Sequence, residues 1–388
     1  MTAPTQQRLS AAQLAAIVAL VQAQAAARQR MTNAAVAAAV APFRSFTAWW
    51  DGDAVDKAVK QVLRTMQPLQ KQMARQTDVF TARVLTVMSG RNVRPVGVVD
   101  ITRLRRRMPK KLVEQLADEL VEPPWVELGD MTDGPGEHID APYEPLVADD
   151  DAEYINPGDV YGRAADGARY DQVVNGMEES QARQRAVVRI GAAAHTDVTL
   201  AVRAQYMKAL DQGRTVRADG WRRILRPELS QSGPCGLCVV AADRIYSRGD
   251  LLPIHDRCVC EVLPIIGDLD PGLLLNDDDL ARLYQAAGSK GGGKREGGAL
   301  KKIRVALTEH GELGPVLTRA DQHYRGMQQV AKTQSRDRRH QIEAQLEALE
   351  KTFETLILRR RAGENVDRPY QWQSNAIDKL RAELGQLV

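Results

Sequence analysis

All four cysteines of this 388-residue chain lie in the 26 residues from Cys235 to Cys260. Cys235 and Cys238 form a C-x-x-C pair. His255 follows Cys238 after seventeen residues, then come Cys258 and Cys260. A C-x-x-C turn brings two sulfurs onto one ion, and zinc prefers a closed tetrahedral set of sulfur and nitrogen donors when its role is structural. Five candidates, Cys235, Cys238, His255, Cys258 and Cys260, compete for four positions. Thiols scattered for packing would not cluster in this way, and a disulfide scaffold needs more cysteines per residue. The expectation is a structural zinc that staples a small fold. Cys258 and Cys260 flank Val259 and would point to opposite faces of a strand, so both can bind one ion only if the chain bends there.

Catalytic alternatives fit less well. A deaminase zinc site pairs H-x-E with a later P-C-x-x-C. Pro234-Cys235-x-x-Cys238 supplies the second half, but His195 is followed by Thr196 and Asp197, and His310-Gly311-Glu312 comes after the cysteines. H-E-x-x-H and G-x-S-x-G are absent. A thiol nucleophile, Cys235 or Cys238 with His195 or His255, has no recognisable signature around it. No catalytic residue is expected. The competing readings are a zinc-dependent nuclease or deaminase-like enzyme and a zinc-ribbon DNA-binding protein.

Several helical elements must position this cluster. Aromatic residues are only 5% of the chain, which favours helices packed by Ala, Leu and Val. Leu14, Ile17, Val18 and Val21 make one face of a first helix in the region 8–90, and Pro42 breaks its pattern. Trp49-Trp50-Asp51-Gly52 reads as a packed corner. A second helix is expected over 54–88, capped by Asp53, striped by Val55, Val59, Val62, Met66 and Leu69, and kinked at Pro68. The segment 91–121 reads as a link and a helix with a basic, solvated face of Arg103, Arg105, Arg106, Arg107, Lys110 and Lys111. Between 130 and 151 there are eight acids and no Lys or Arg, which reads as an extended linker. A helix is expected over 178–210, closed by Gly213, with Ala186, Val187, Ile190, Ala194 and Val198 on one side. Short strands are expected around the cysteines. Helices are expected over 315–361 and 373–387, separated by a loop containing Gly363 and Pro369. Their seams of Ile342, Leu346, Leu349, Phe353 and Leu356, and of Ile377, Leu380, Leu384 and Leu387, suggest a helical hairpin.

The expected fold is mainly α with a small α+β zinc-binding module. Its parts are an N-terminal helical domain (1–121), an acidic Pro/Gly-rich linker (122–158), the Cys/His module (159–267), a Gly/Lys-rich linker (268–302) and a C-terminal helical hairpin or coiled coil (303–388). Lys plus Arg number 53 and Asp plus Glu 50, a balance unlike that of a dedicated nucleic-acid coat. No apolar run long enough for a membrane span and no secretory leader is read.

The pattern Pro234-Cys235-Gly236-Leu237-Cys238, then Pro253-Ile254-His255-Asp256-Arg257-Cys258-Val259-Cys260 closed by Pro264, resembles the minor head proteins related to protein F of phage Mu, the MuF-like head morphogenesis proteins. Gly220-Trp221-Arg222-Arg223-Ile224-Leu225-Arg226-Pro227-Glu228-Leu229-Ser230 resembles the actinobacteriophage members, as do Tyr161-Gly162-Arg163-Ala164-Ala165 and Arg169-Tyr170. Val259 stands where the family usually has arginine. The resemblance covers roughly 155–265. It implies a low-copy, non-enzymatic virion protein that acts in the host cytoplasm during assembly and ends in the capsid interior at the portal vertex. The implied partners are the portal protein and the major capsid or scaffold protein. Basic runs at 103–111, 290–304 and 336–339 could add non-specific DNA contact, and the C-terminal seams could pair two copies.

Overall fold

The computed structural model describes residues 9–105, 138–139, 154–173, 175–212, 215–226, 241–242, 245–246, 259–276, 305–310, 314–319 and 327–386. The protein is mainly helical. Helix α1, Ala11–Val40, opens on a capping box: Ser10 Oγ accepts from the Gln13 amide at 3.2 Å, and Gln13 Oε1 accepts from the Ser10 amide at 3.0 Å. A 3-10 turn over Ala41–Phe43, with Pro42 in its first positions, ends the helix. By length and composition α1 and this turn are apolar enough to cross a membrane, contrary to the sequence expectation, with a mean hydropathy of 1.2. Alanine carries much of that hydropathy. Its packed face also holds the buried polar residues Gln24, Arg28 and Thr32, the first two bonded across to other elements.

Phe43, Phe46 and Trp49 pack together at the corner, and Trp49 is fully buried. Helix α2 runs over Gly52–Ser89 and continues past Pro68. Its N-cap is Asp51, not Asp53: the Asp51 side chain accepts from the Ala54 amide at 3.1 Å, and Asp53 lies inside the first turn. Gly90, at φ 68°, ends the helix in a left-handed conformation that costs glycine little.

The following segment is strapped to the helices rather than free. Asp78 of α2 accepts from the Val96 and Gly97 amides at 3.1 and 2.8 Å. Gln205 accepts from the Val99 amide and donates to the Gly97 carbonyl. A short 3-10 turn, Ile101–Arg103, follows. The helix expected further along 91–121 lies outside the described residues, as does most of the acidic linker. Two linker residues form strand β1, His138–Ile139, parallel to a later strand.

Helix α3, Pro157–Val173, and helix α4, Glu179–Asp211, complete the helical body. Gln212 caps α4; Gly213 lies outside the described residues. Strands β2 (Gly220–Ile224), β3 (Ile245–Tyr246) and β4 (Glu261–Ile265) join β1 in a sheet of order β1-β3-β2-β4. Strands β2 and β4 are antiparallel, from Gly220 opposite Ile265 to Ile224 opposite Glu261.

One apolar cluster takes in Ile17 and Val21 of α1, Val62 and Phe80 of α2, Tyr161 of α3, Ile190 and Val198 of α4, and Trp221, Ile224, Val262 and Leu263 of the sheet. This cluster draws on residues from both 1–121 and 159–267. Residues beyond 267 also bond to the sheet. Asp270 pairs with Arg222, and Asn276 accepts from the Leu225 amide while donating to the Arg223 carbonyl.

The C-terminal part differs from the expected all-helical unit. Val305–His310 (β5) and Gly314–Arg319 (β6) form an antiparallel hairpin, where residues from 315 onward were expected to be helical. Val305, Leu307, Thr308, Val316, Leu317 and Thr318 are strand-formers or alternate with them, and the pairing satisfies a backbone that a helix start would leave open. Helix α5 is Met327–Arg361 and α6 is Asp367–Gln386. Pro369 lies in the first turn of α6, where it displaces no helical hydrogen bond, so the helix begins earlier than 373. Ile342, Leu346, Ile377 and Leu380 form the buried seam, with Leu349, Phe353 and Leu384 packed on it.

Candidate functional site

Of the five expected ligands, only Cys260 is among the described residues; Cys235, Cys238, His255 and Cys258 lie outside them. Among the described residues no three His, Cys, Asp or Glu side chains gather as a metal set. The His255 and Cys235/Cys238 nucleophile alternatives fall outside for the same reason. His195 sits half-buried within α4, and His310 ends β5.

Cys260 is 3% exposed and stands immediately before β4. The ladder with β2 begins at Glu261, so Val259 and Cys260 are outside it.

The next residue, Glu261, is fully buried among arginines that come from distant parts of the chain. Arg28 Nη1 of α1 donates to Glu261 Oε1 at 3.4 Å and to the Val259 carbonyl at 3.0 Å. Its Nη2 donates to Thr199 Oγ1 of α4 at 3.2 Å. Arg226 Nε lies 3.7 Å from Glu261 Oε2, and Arg226 Nη2 donates to the Val21 carbonyl of α1. Tyr206 of α4 is fully buried here. Burial holds its phenol well above the usual tyrosine value, and the Glu261 charge adds to the shift. A carboxylate buried this deeply persists only when it is paired, and two guanidiniums pair it.

The exposed segment before β2 leads into a second arginine arrangement. Arg222 and Arg223 are fully buried. Arg222 Nε donates to Asp270 Oδ2 at 2.7 Å, and Nη1 donates to the Ala242 carbonyl at 3.3 Å. Arg223 lies over the stacked rings of Trp221 and Tyr246, whose centroids are 4.3 Å apart. Gly220 is required beside that stack: a Cβ there would sit 2.7 Å from the Tyr246 carbonyl oxygen.

A third cluster joins the 3-10 turn to α3 and α4. Arg105 Nε donates to Asp197 Oδ1 at 2.8 Å, and the Tyr161 hydroxyl donates to Oδ2 at 2.7 Å. Burial, followed by the Asp197 charge, holds the Tyr161 phenol well above its ordinary value. Arg105 was expected on a solvated basic face, but it is buried in this ion pair and is unavailable to DNA. Its spacing in a basic run hid this, because its partner is 92 residues away.

The chain matches no family model, and no curated protein and no solved structure matches it.

Proposed function

We propose that this chain is a minor capsid, head morphogenesis protein of a tailed phage, a low-copy and non-catalytic adaptor at the portal vertex. One observation carries the reading: Pro234-Cys235-x-x-Cys238 with Pro253-x-His255-x-x-Cys258-x-Cys260 resembles the MuF-like proteins, and it runs directly into a buried strand. Four of Cys235, Cys238, His255, Cys258 and Cys260 hold a structural zinc. The sulfur and nitrogen donors suit zinc, and the burial of Cys260 suits a closed site without a catalytic opening. The zinc supplies a crosslink and no reaction step.

The proposed partners are the portal protein and the major capsid or scaffold protein. The C-terminal hairpin supports an adaptor role: it presents Trp372 and Leu358 at 67% and 64% exposure, and exposed aromatics of this kind anchor interfaces. Non-specific DNA contact through the exposed basic residues is a secondary property and weakens with salt. The protein acts in the host cytoplasm during assembly and then inside the capsid. Co-expression with the portal protein of the same phage tests this. The two should co-purify through size exclusion at moderate salt, and separate elution of folded proteins would contradict the reading.

A further inference from the structure

We infer that the exposed face of α2 between Lys57 and Arg75 is a binding surface for the phosphate backbone of duplex DNA. This rests on the secondary DNA contact proposed above and places it away from the basic runs of the sequence. Lys57, Lys60, Arg64, Lys71 and Arg75 are all exposed. On an α-helix, at about 100° and 1.5 Å per residue, they fall within about 60° of one another and span about 27 Å. The other exposed residues between 57 and 76 are four glutamines, Thr65 and Pro68. No acid lies between Lys57 and Thr77, and Asp56 marks the N-terminal limit of the stripe. Among the described residues none of the five cations is in an ion pair. The neighbouring acids are engaged elsewhere. Asp53 faces Lys379 at 3.7 Å, and the buried Asp78 accepts from the Val96 and Gly97 amides. The Asp100 carboxyl is held below its ordinary value first by hydrogen bonds from Thr102, then by Arg103 and Lys71.

The composition of this face selects its occupant. A merely solvated helix face mixes signs, and like charges four residues apart, as at Lys60–Arg64 and Lys71–Arg75, repel each other. A polyanion relieves that repulsion. A protein interface needs an aromatic or aliphatic anchor, a membrane-surface helix needs an apolar face, and a single-strand platform needs exposed aromatics; the exposed residues here include none of these. Lysine, arginine and glutamine side chains reach phosphate oxygens without reading bases. One strand of a duplex carries a phosphate about every 3.4 Å along the axis, so this length of helix meets more phosphates than its cations can neutralise. The cations stand three, four and seven residues apart, so no basic run in the sequence reveals them.

The test uses the full chain and a fluorescein-labelled duplex of arbitrary sequence, with affinity read by anisotropy across a salt series. Five neutralised phosphates give log K against log salt a slope of about −4.5, or about 500-fold weaker binding between about 50 and 200 mM salt. Arg64→Gln/Lys71→Gln should bring the slope to about −2.7 and the loss to about 40-fold. Arg64→Lys/Lys71→Arg keeps both charges and should keep the wild-type slope. So should Lys351→Gln/Arg361→Gln, which removes two exposed cations of α5. All these positions are exposed, so every variant should fold, as circular dichroism checks. An unchanged slope in Arg64→Gln/Lys71→Gln, or an equal change in Lys351→Gln/Arg361→Gln, would overturn the α2 surface and leave DNA contact elsewhere on the chain standing. Tighter binding to a single strand than to the duplex would overturn recognition of the duplex backbone. A wild-type chain that does not bind the duplex at about 50 mM salt would overturn DNA contact itself, and the α2 surface with it. None of these outcomes touches the portal reading, which co-purification tests separately.

Discussion

Replacing Asp197 by Ala removes the acceptor that Arg105 and Tyr161 share inside the helical body. Arg105 Nε and the Tyr161 hydroxyl approach its two oxygens at 2.8 and 2.7 Å, and Arg105 and Asp197 side chains are 2% and 5% exposed. The substitution strands a guanidinium in low dielectric, which costs about 3–5 kcal/mol. The tyrosine hydroxyl loses its acceptor as well, adding about 1 kcal/mol. Arg105 also donates to the Ala193 carbonyl at 3.4 Å, which places the expected loss toward the lower end, about 3–4 kcal/mol. Against a typical total of about 5–15 kcal/mol this is a large fraction. Urea unfolding followed by far-ultraviolet circular dichroism reads it directly. The double variant Arg105→Met/Asp197→Ala should be more stable than Asp197→Ala alone, because the stranded guanidinium is then removed. An Asp197→Ala loss below about 1 kcal/mol would refute the reasoning, since that is the range of an exposed pair.

Other consequences follow from the same clusters. Tyr161 and Tyr206 have raised folded-state values, so the native state keeps both protons where the unfolded chain releases them. Stability should therefore be unaffected by these groups below about pH 10 and fall above it, by up to about 1.4 kcal/mol per pH unit for each. Ultraviolet titration should show at least two tyrosines, Tyr161 and Tyr206, ionising only on unfolding; smooth ionisation of both in the native state would contradict this. Gly220→Ala forces a Cβ against the Tyr246 carbonyl and should cost about 1–3 kcal/mol in urea, whereas a neutral outcome would mean β3 does not approach so closely. Ile342→Ala removes a fully buried side chain from the C-terminal hairpin and should cost about 2–5 kcal/mol locally. Hydrogen exchange should then rise in α5 and α6 but not in α2, and an equal rise in α2 would show one cooperative unit.

Much of the helical framework was legible because its signals are local. The α1 and α2 stripes, the break at Pro42 and the two C-terminal seams each depend on residues within a few turns of one another. Misreadings arose where the deciding partner is remote or subtle. Asp51 rather than Asp53 caps α2, a choice fixed by which carboxylate reaches the Ala54 amide. Strand β6 read as helix because Gly314–Arg319 gains its stability from pairing with Val305–His310. The buried arginines were the largest omission. Arg105 read as part of a solvated face, and Arg28, Arg222 and Arg226 were given no place in the core; long-range pairing with Glu261, Asp197 and Asp270 makes their burial tolerable. One signal was available: Trp221-Arg222-Arg223-Ile224 sits in a short strand-forming run, where two adjacent arginines must either face solvent or find acids. The cysteine spacing supplied the candidate ligands, but not the α1 arginine that donates to the Val259 carbonyl.

The central claim is that this is a low-copy protein of the phage head. Quantitative mass spectrometry of purified particles, with the portal protein as internal standard, tests it most directly. The account predicts that the chain is retained in mature particles at no more than about one copy per portal subunit, as expected for an adaptor matched to a closed ring. Its absence from particles, or an abundance like that of the shell protein, would contradict the assignment.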